Sequence, residues 1–277
     1  MVSFSSCKKD FVFGDIDPNT DRVIVEFTDS QNGGTSSVDY TTNLIQADLT
    51  EVRLFPRSVA KGDVKVKVIV NPTVVADFNT ENGTSYISVP ATSYSLESNE
   101  ITLTQDNRRQ NIKINIKPSL VVGAPYAIGL SIAEVTNGEV SELHHNVLVE
   151  VKVKNAYEGD YQATGTMVVY NGSTNTSPIA ATYSIDEVKF LATINNTTVE
   201  TNIGFSDFTG GAYMYLAINP STNLVTVSPS LTSPTFGVVN NNGVCVYNPS
   251  TKTFTLNYLY VNSAGNLREI QEVLVRQ

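Results

Sequence analysis

Tyr213 and Tyr215 lie two residues apart in Gly211-Ala-Tyr213-Met-Tyr215-Leu-Ala217-Ile218, and Met214, Leu216 and Ile218 alternate with them. Successive side chains of an extended chain face opposite sides, so the apolar set predicts a core face and places both tyrosines on the other. A phenol ring offers an apolar face and a polar tip, which suits stacking against a sugar or a peptide. Phe205 and Phe208 stand just upstream in a glycine-flanked loop. Tyr213, Tyr215, Phe205 and Phe208 therefore form the candidate ligand-binding cluster. The competing reading packs these rings under the loop or against a neighbouring domain. The chain has no Trp but 13 Tyr and 11 Phe, so any stacking surface must come from these smaller rings.

Catalytic chemistry finds little to work with. There is no Gly-x-Ser-x-Gly elbow and no cysteine with an evident histidine partner. The two histidines, His144 and His145, are adjacent, so on a strand they point apart and cannot chelate one metal together. They are expected as a solvated pair at a hairpin tip. Glycoside hydrolysis needs two carboxylates placed across a bond; with 27 acidic residues, close pairs arise by chance. Glu150, Asp186 and Glu187 are expected on wet strand faces or turns. No glycine-rich phosphate loop is present. Asp15-Ile-Asp17-Pro-Asn19-Thr-Asp21, with Glu26 at the twelfth position, has the spacing of a calcium loop. The sharp turn at its sixth position calls for glycine and Thr20 stands there, so a solvated acidic tether is the expectation. No catalytic residue, metal or cofactor is expected.

The formal charge of -9 and pI near 4.7 disfavour nucleic acid and anionic lipid surfaces as partners. Cys245, within Val244–Tyr247, reads as a buried thiol. Cys7 follows Ser5 and Ser6, small residues of the kind that close a lipoprotein signal peptide, whose apolar stretch would lie upstream. Cys7 is the expected lipid-attachment residue, with a chance Ser-Ser-Cys in a tail as the alternative. No apolar run approaches membrane-spanning length.

The elements that must position these residues are strands. A length of 277 residues, 41% apolar and 16% charged, implies two folded domains. Val64, Val66, Val68 and Val70 share one face with Lys65 and Lys67 on the other, Ile112, Ile114 and Ile116 alternate with Lys113, Asn115 and Lys117, and Val147, Val149, Val151 and Val153 alternate with Leu148, Glu150, Lys152 and Lys154. Such strands are wet on one face. Their number predicts an immunoglobulin-like sandwich, interrupted near Thr73–Asn79 by a helical turn or two. After Asn155-Ala-Tyr157-Glu-Gly159 the pattern restarts as eight or nine strands with short connections. That predicts an up-and-down, lipocalin-like barrel in preference to a second sandwich. The division is a lipoprotein tether (1–21), a sandwich domain (22–155) and an antiparallel barrel domain (156–277), all-β throughout.

Val75-Ala-Asp-Phe78-Asn79-Thr-Glu-Asn82-Gly83-Thr84-Ser-Tyr86, followed by Val89-Pro90 and Tyr94-Ser95-Leu96, resembles the N-terminal immunoglobulin-like domain of Bacteroidetes surface lipoproteins of uncharacterised function. Asn155-Ala-Tyr157-Glu-Gly159-Asp-Tyr161, Thr164-Gly165, Tyr247-Asn-Pro249-Ser-Thr251-Lys-Thr253-Phe254 and Arg268-Glu269 resemble the C-terminal domain paired with it. The resemblance implies a lipid-anchored outer-membrane protein with Cys7 as its lipidated residue. It further implies a polysaccharide or oligosaccharide ligand, and as partners a TonB-dependent transporter with its glycan-binding lipoprotein. It supplies no binding residues. Two other roles remain open: a fimbrial-type subunit or scaffold without a small ligand, and a barrel enclosing a small apolar molecule.

Overall fold

The computed structural model describes residues 22–30, 32–55, 58–205, 212–231 and 239–277. Cys7 and the Asp15–Asp21 segment lie outside the described residues. The described chain is all-β with one α-helix. In the N-terminal half one sheet has the order β10 (Glu139–Val140), β1 (Ile24–Phe27), β3 (Ile45–Leu54), β8 (Arg109–Ile116), β6 (Tyr94–Leu96). The facing sheet has the order β2 (Gly34–Asp39), β11 (Asn146–Lys154), β9 (Tyr126–Thr136), β4 (Val64–Val70), β7 (Glu100–Leu103), with β5 (Ile87–Ser88) also on β9. The first stretch of chain thus splits between the sheets, β1 on β3 and β2 parallel to the last strand, β11. Val64, Val66 and Val68 meet Ile112, Ile114 and Ile116 in one buried cluster, while Lys65 and Lys67 face water and Val70, at the strand end, is exposed. Alternation of this kind yields two sheets that can bury only one face each.

The helix α1 (Thr73–Asn82) starts where Asn71 Oδ1 accepts the Thr73 N–H at 3.1 Å and stops at left-handed Gly83. Its Val74 and Val75 cover Ala127 and Leu148, apolar residues on the outer face of β9 and β11.

The C-terminal half is a nearly closed, up-and-down barrel: β12 (Gly159–Tyr170), β13 (Ile179–Thr193), β14 (Thr198–Asn202), β15 (Tyr213–Ile218), β16 (Val225–Pro229), β17 (Val239–Asn241), β18 (Val246–Asn248), β19 (Thr253–Val261) and β20 (Leu267–Arg276). First and last strands pair from Tyr161↔Arg276 to Val169↔Arg268. At the seam between β16 and β17, the Asn241 side chain stands in for a ladder rung, accepting Val227 N–H at 2.7 Å and donating to Val225 O at 2.8 Å. Tyr161, Tyr157, Tyr247 and Phe254 plug one end, with Tyr157 and Tyr247 edge to face at 4.9 Å. The Tyr161 hydroxyl donates to Tyr157 O at 3.0 Å.

Charge also lies inside. Lys189 Nζ meets Glu272 Oε2 at 2.6 Å, with side chains 1% and 0% exposed. Tyr258 Oη donates to Glu272 Oε1 at 2.8 Å and accepts Gly204 N–H at 2.7 Å. Glu272 pairs across the sheet with Gly165, where an added Cβ would stand 2.1 Å from Gln271 O, so only glycine permits this approach of β12 to β20. The pair fixes the facing of β13. Ile185, Lys189 and Leu191 are buried, and Val188 and Phe190 are 54% and 52% exposed. Hydropathy alone would place Val188 and Phe190 inside in place of Glu187 and Lys189. Glu187, expected on a wet face, shares the inner face and stands 3.8 Å from Lys189.

Glu272→Ala leaves the Lys189 ammonium buried without its partner, and urea denaturation should register a loss of about 3–5 kcal/mol. Lys189→Met with Glu272→Leu should cost less than Glu272→Ala alone, the remaining loss coming from the Tyr258 hydroxyl and Glu187 left without their partners. Burial, and the negative charge of Glu272, push the Tyr258 phenol well above its ordinary range, and burial likewise raises Tyr161, Tyr247 and Tyr260. Unfolded phenols release protons near pH 10 while the folded ones retain theirs. Stability from these groups is therefore complete below about pH 10 and falls as pH rises beyond it; denaturation at pH 8, 10 and 11 should show that order, and a flat profile would contradict it.

Candidate functional site

On β15, Met214, Leu216 and Ile218 are buried in the barrel and Tyr213 and Tyr215 face outward. Tyr213 lies opposite Asn202, and Tyr215 lies between Glu200 on β14 and Ser228 on β16. Directly opposed residues have Cβ atoms about 4.5–5.5 Å apart, within reach of an aromatic side chain. The Tyr215 hydroxyl accepts Leu231 N–H at 3.3 Å, and Ser230 donates to Glu200. Two rings are thus flanked by carboxylate, amide and hydroxyl groups. Gly204 is tied to Tyr258 inside the barrel, and Phe205, the next residue, packs half-buried against the barrel core. Phe208 lies outside the described residues.

A second concavity, of about 330 Å³, opens on the sandwich beside Glu26, Asp29, Ser30, Arg53 and His144. His144 and His145 are not solvated as a pair: both are half-buried. His144 Nδ1 bonds Ser30 Oγ at 2.5 Å, and His145 Nδ1 lies 2.9 Å from Glu142 O. The reason is that the turn before β11 folds back onto β1, where Phe27 N–H donates to His144 O. A serine nucleophile needs its imidazole oriented by a third group. The carboxylates here are engaged elsewhere: Glu26 holds Arg53 at 2.9 Å and Asp29 accepts the Thr50 hydroxyl at 3.2 Å. Among the described residues no cluster of three or more His, Cys, Asp or Glu is placed to hold a metal ion. Cys245 is a free, buried thiol whose pKa burial raises.

A third concavity, of about 380 Å³, lies between the two halves and was not foreseen. Val121, Gly123 and Ala124 form one wall, β11 contributes Glu150 and Lys152, and β13 contributes Phe190 and Ala192. Its geometry is held by the junction. Asn155 Nδ2 donates to Asn195 O at 2.8 Å and Thr198 O at 3.1 Å, its Oδ1 accepts Tyr157 N–H, and its own N–H donates to Thr193 Oγ1. Arg276 bonds Ala156 O and Glu158 O. Gly123, at φ +88°, brings the sandwich so near that an added Cβ would stand 2.9 Å from Ile194 O. Sequence patterning treats each half alone, so a site built from both escapes it; the inverted facing of Lys189 and Phe190 marks it only once the register is known.

With this geometry defined, the chain can be compared with known proteins. One family model, described as an N-terminal domain, matches residues 18–139, and a second, described as a C-terminal domain, matches residues 145–275. The second match begins at the turn before β11, the last strand of the sandwich. No curated protein matches the sequence. A Bacteroides ovatus protein of unknown function superposes with a TM-score of 0.62 at 14% identity, over 92% of this chain and 95% of that one. A second from Bacteroides ovatus gives 0.54 at 13% identity, over 91% and 93%. An auxiliary nutrient binding protein from Bacteroides thetaiotaomicron gives 0.51 at 14% identity, over 87% and 90%. Across both domains this chain shares the fold of these Bacteroides proteins, in keeping with the Bacteroidetes resemblance of its motifs. No helix among the described residues is long and apolar enough to cross a membrane.

The two faces of β15 should separate on mutation. Leu216→Ala opens the barrel core and should cost about 2–5 kcal/mol, whereas Tyr213→Ala should cost less than about 1 kcal/mol. Equal losses in chemical denaturation would make Tyr213 a packing residue.

Proposed function

We propose that this chain is a non-catalytic glycan-binding protein of the cell surface, anchored in the outer membrane through lipid on Cys7. It presents polysaccharide to an uptake system composed of a TonB-dependent transporter and that transporter's own glycan-binding lipoprotein. The observation that carries the reading is the outward pair Tyr213 and Tyr215, flanked by Glu200, Asn202 and Ser228 on a barrel face whose other side is core. Rings that present an apolar face, with hydrogen-bonding groups at their edge, suit the two chemistries of a sugar ring. The described barrel interior is filled by side chains such as Tyr161, Phe254, Leu256 and Tyr258, so binding is assigned to the outer surface. The fold shared with an auxiliary nutrient binding protein is in keeping with this role.

Affinity electrophoresis through gels containing single polysaccharides tests the reading. At least one polymer should retard the wild-type protein, and Tyr213→Ala with Tyr215→Ala should reduce the retardation severalfold at unchanged thermal stability. Free migration in every gel would favour a scaffold role without a small ligand.

A further inference from the structure

We infer that the groove between the two domains is a separate saccharide subsite, with Phe190 as its stacking ring and a neutral sugar as its occupant. The inference rests on the glycan-binding reading but on different residues. β13 is held with a lysine inside and a phenylalanine outside, and that arrangement aims the Phe190 ring into a concavity instead of the core. Conflicts between local hydropathy and global fold concentrate at functional sites. About 380 Å³ falls within the range of roughly 300–1,000 Å³ typical of small-ligand sites, which favour domain interfaces.

The lining chooses among ligands. Glu150 and Glu158 are 21% and 17% exposed, and Lys152 Nζ stands 3.7 Å from Glu150. Lys154 Nζ stands 3.9 Å from Glu158, so two balanced charge pairs border the concavity that Phe190 lines, offering acceptors and donors to sugar hydroxyls and a ring face to the C–H side. With each carboxylate balanced by an ammonium, the lining leaves no uncompensated cation to attract a uronate or a sulfated sugar, and the net charge of -9 opposes one. The bonds of Asn155 and Arg276 set the walls before any ligand arrives, which lowers the ordering cost of binding.

The test is calorimetric titration of the full chain with neutral hexasaccharides (gluco-, manno- and xylo-series) and with an oligogalacturonide, alongside polysaccharide gels. One neutral hexasaccharide should bind. Phe190→Ala should weaken it at least tenfold with unchanged thermal unfolding, and Phe190→Tyr should restore most of the affinity. In a Tyr213→Ala, Tyr215→Ala background, where the outer face no longer contributes, a hexasaccharide site should persist and be lost on adding Phe190→Ala. Retention by a polymer gel together with wild-type hexasaccharide affinity in Phe190→Ala would overturn the subsite and leave the glycan reading standing. No retention by any polymer and no hexasaccharide binding would remove both. Oligogalacturonide bound as tightly as the neutral sugar would overturn the neutral preference. A dimer in solution that Phe190→Ala dissociates would overturn the subsite in favour of self-association.

Discussion

Lys189 and Glu272 are withdrawn from water inside the barrel, and a charge pair in that position tolerates no slippage. Each ion loses its hydration, and the 2.6 Å contact offsets the loss, helped by Glu187 and Asn202 O near the ammonium and by the Tyr258 hydroxyl on the second carboxylate oxygen. A strand shifted by one residue exchanges its faces completely. If β13 slipped, Lys189 would reach solvent and Glu272 would be left buried alone. Burying a Val or Phe side chain contributes about 1.5–3 kcal/mol, yet β13 forgoes part of that at Val188 and at Phe190. The exposed ring of the inter-domain groove is thus a consequence of the ion pair on the opposite face of the same strand.

The residues that carry the family resemblance turn out to be architectural. Tyr157, Tyr161, Tyr247 and Phe254 close the barrel end, Asn155 fastens the junction, and Gly165 admits the close approach of β12 and β20. Two proteins can share all of these and bind different ligands, because none of these six residues lines the tyrosine face or the groove, which the motif reaches through Glu158. Likeness to Bacteroides proteins at 13–14% identity accordingly reports fold and leaves the ligand to be read from the surface.

Much was legible without coordinates, and each success has a local cause. Alternation along Val64–Val70 and Ile112–Ile116 identifies strands with one wet face, since side-chain direction there depends only on position in the chain. The short helix at Thr73 and the outward facing of Tyr213 and Tyr215 follow from the same periodicities. The misplaced residues share a different cause. The surroundings of Glu187 and His144 are set by contacts distant in sequence: Glu272, which holds Lys189 inside beside Glu187, and Ser30 across the turn.

The sequence by itself determined the all-β character, the sandwich followed by a barrel, and the two faces of β15, because these follow from residue types at short, fixed spacing. Tertiary structure alone decided which way β13 faces and where a groove opens. Both depend on burying two opposite charges 83 residues apart and on a backbone approach at Gly123 that only the folded chain creates.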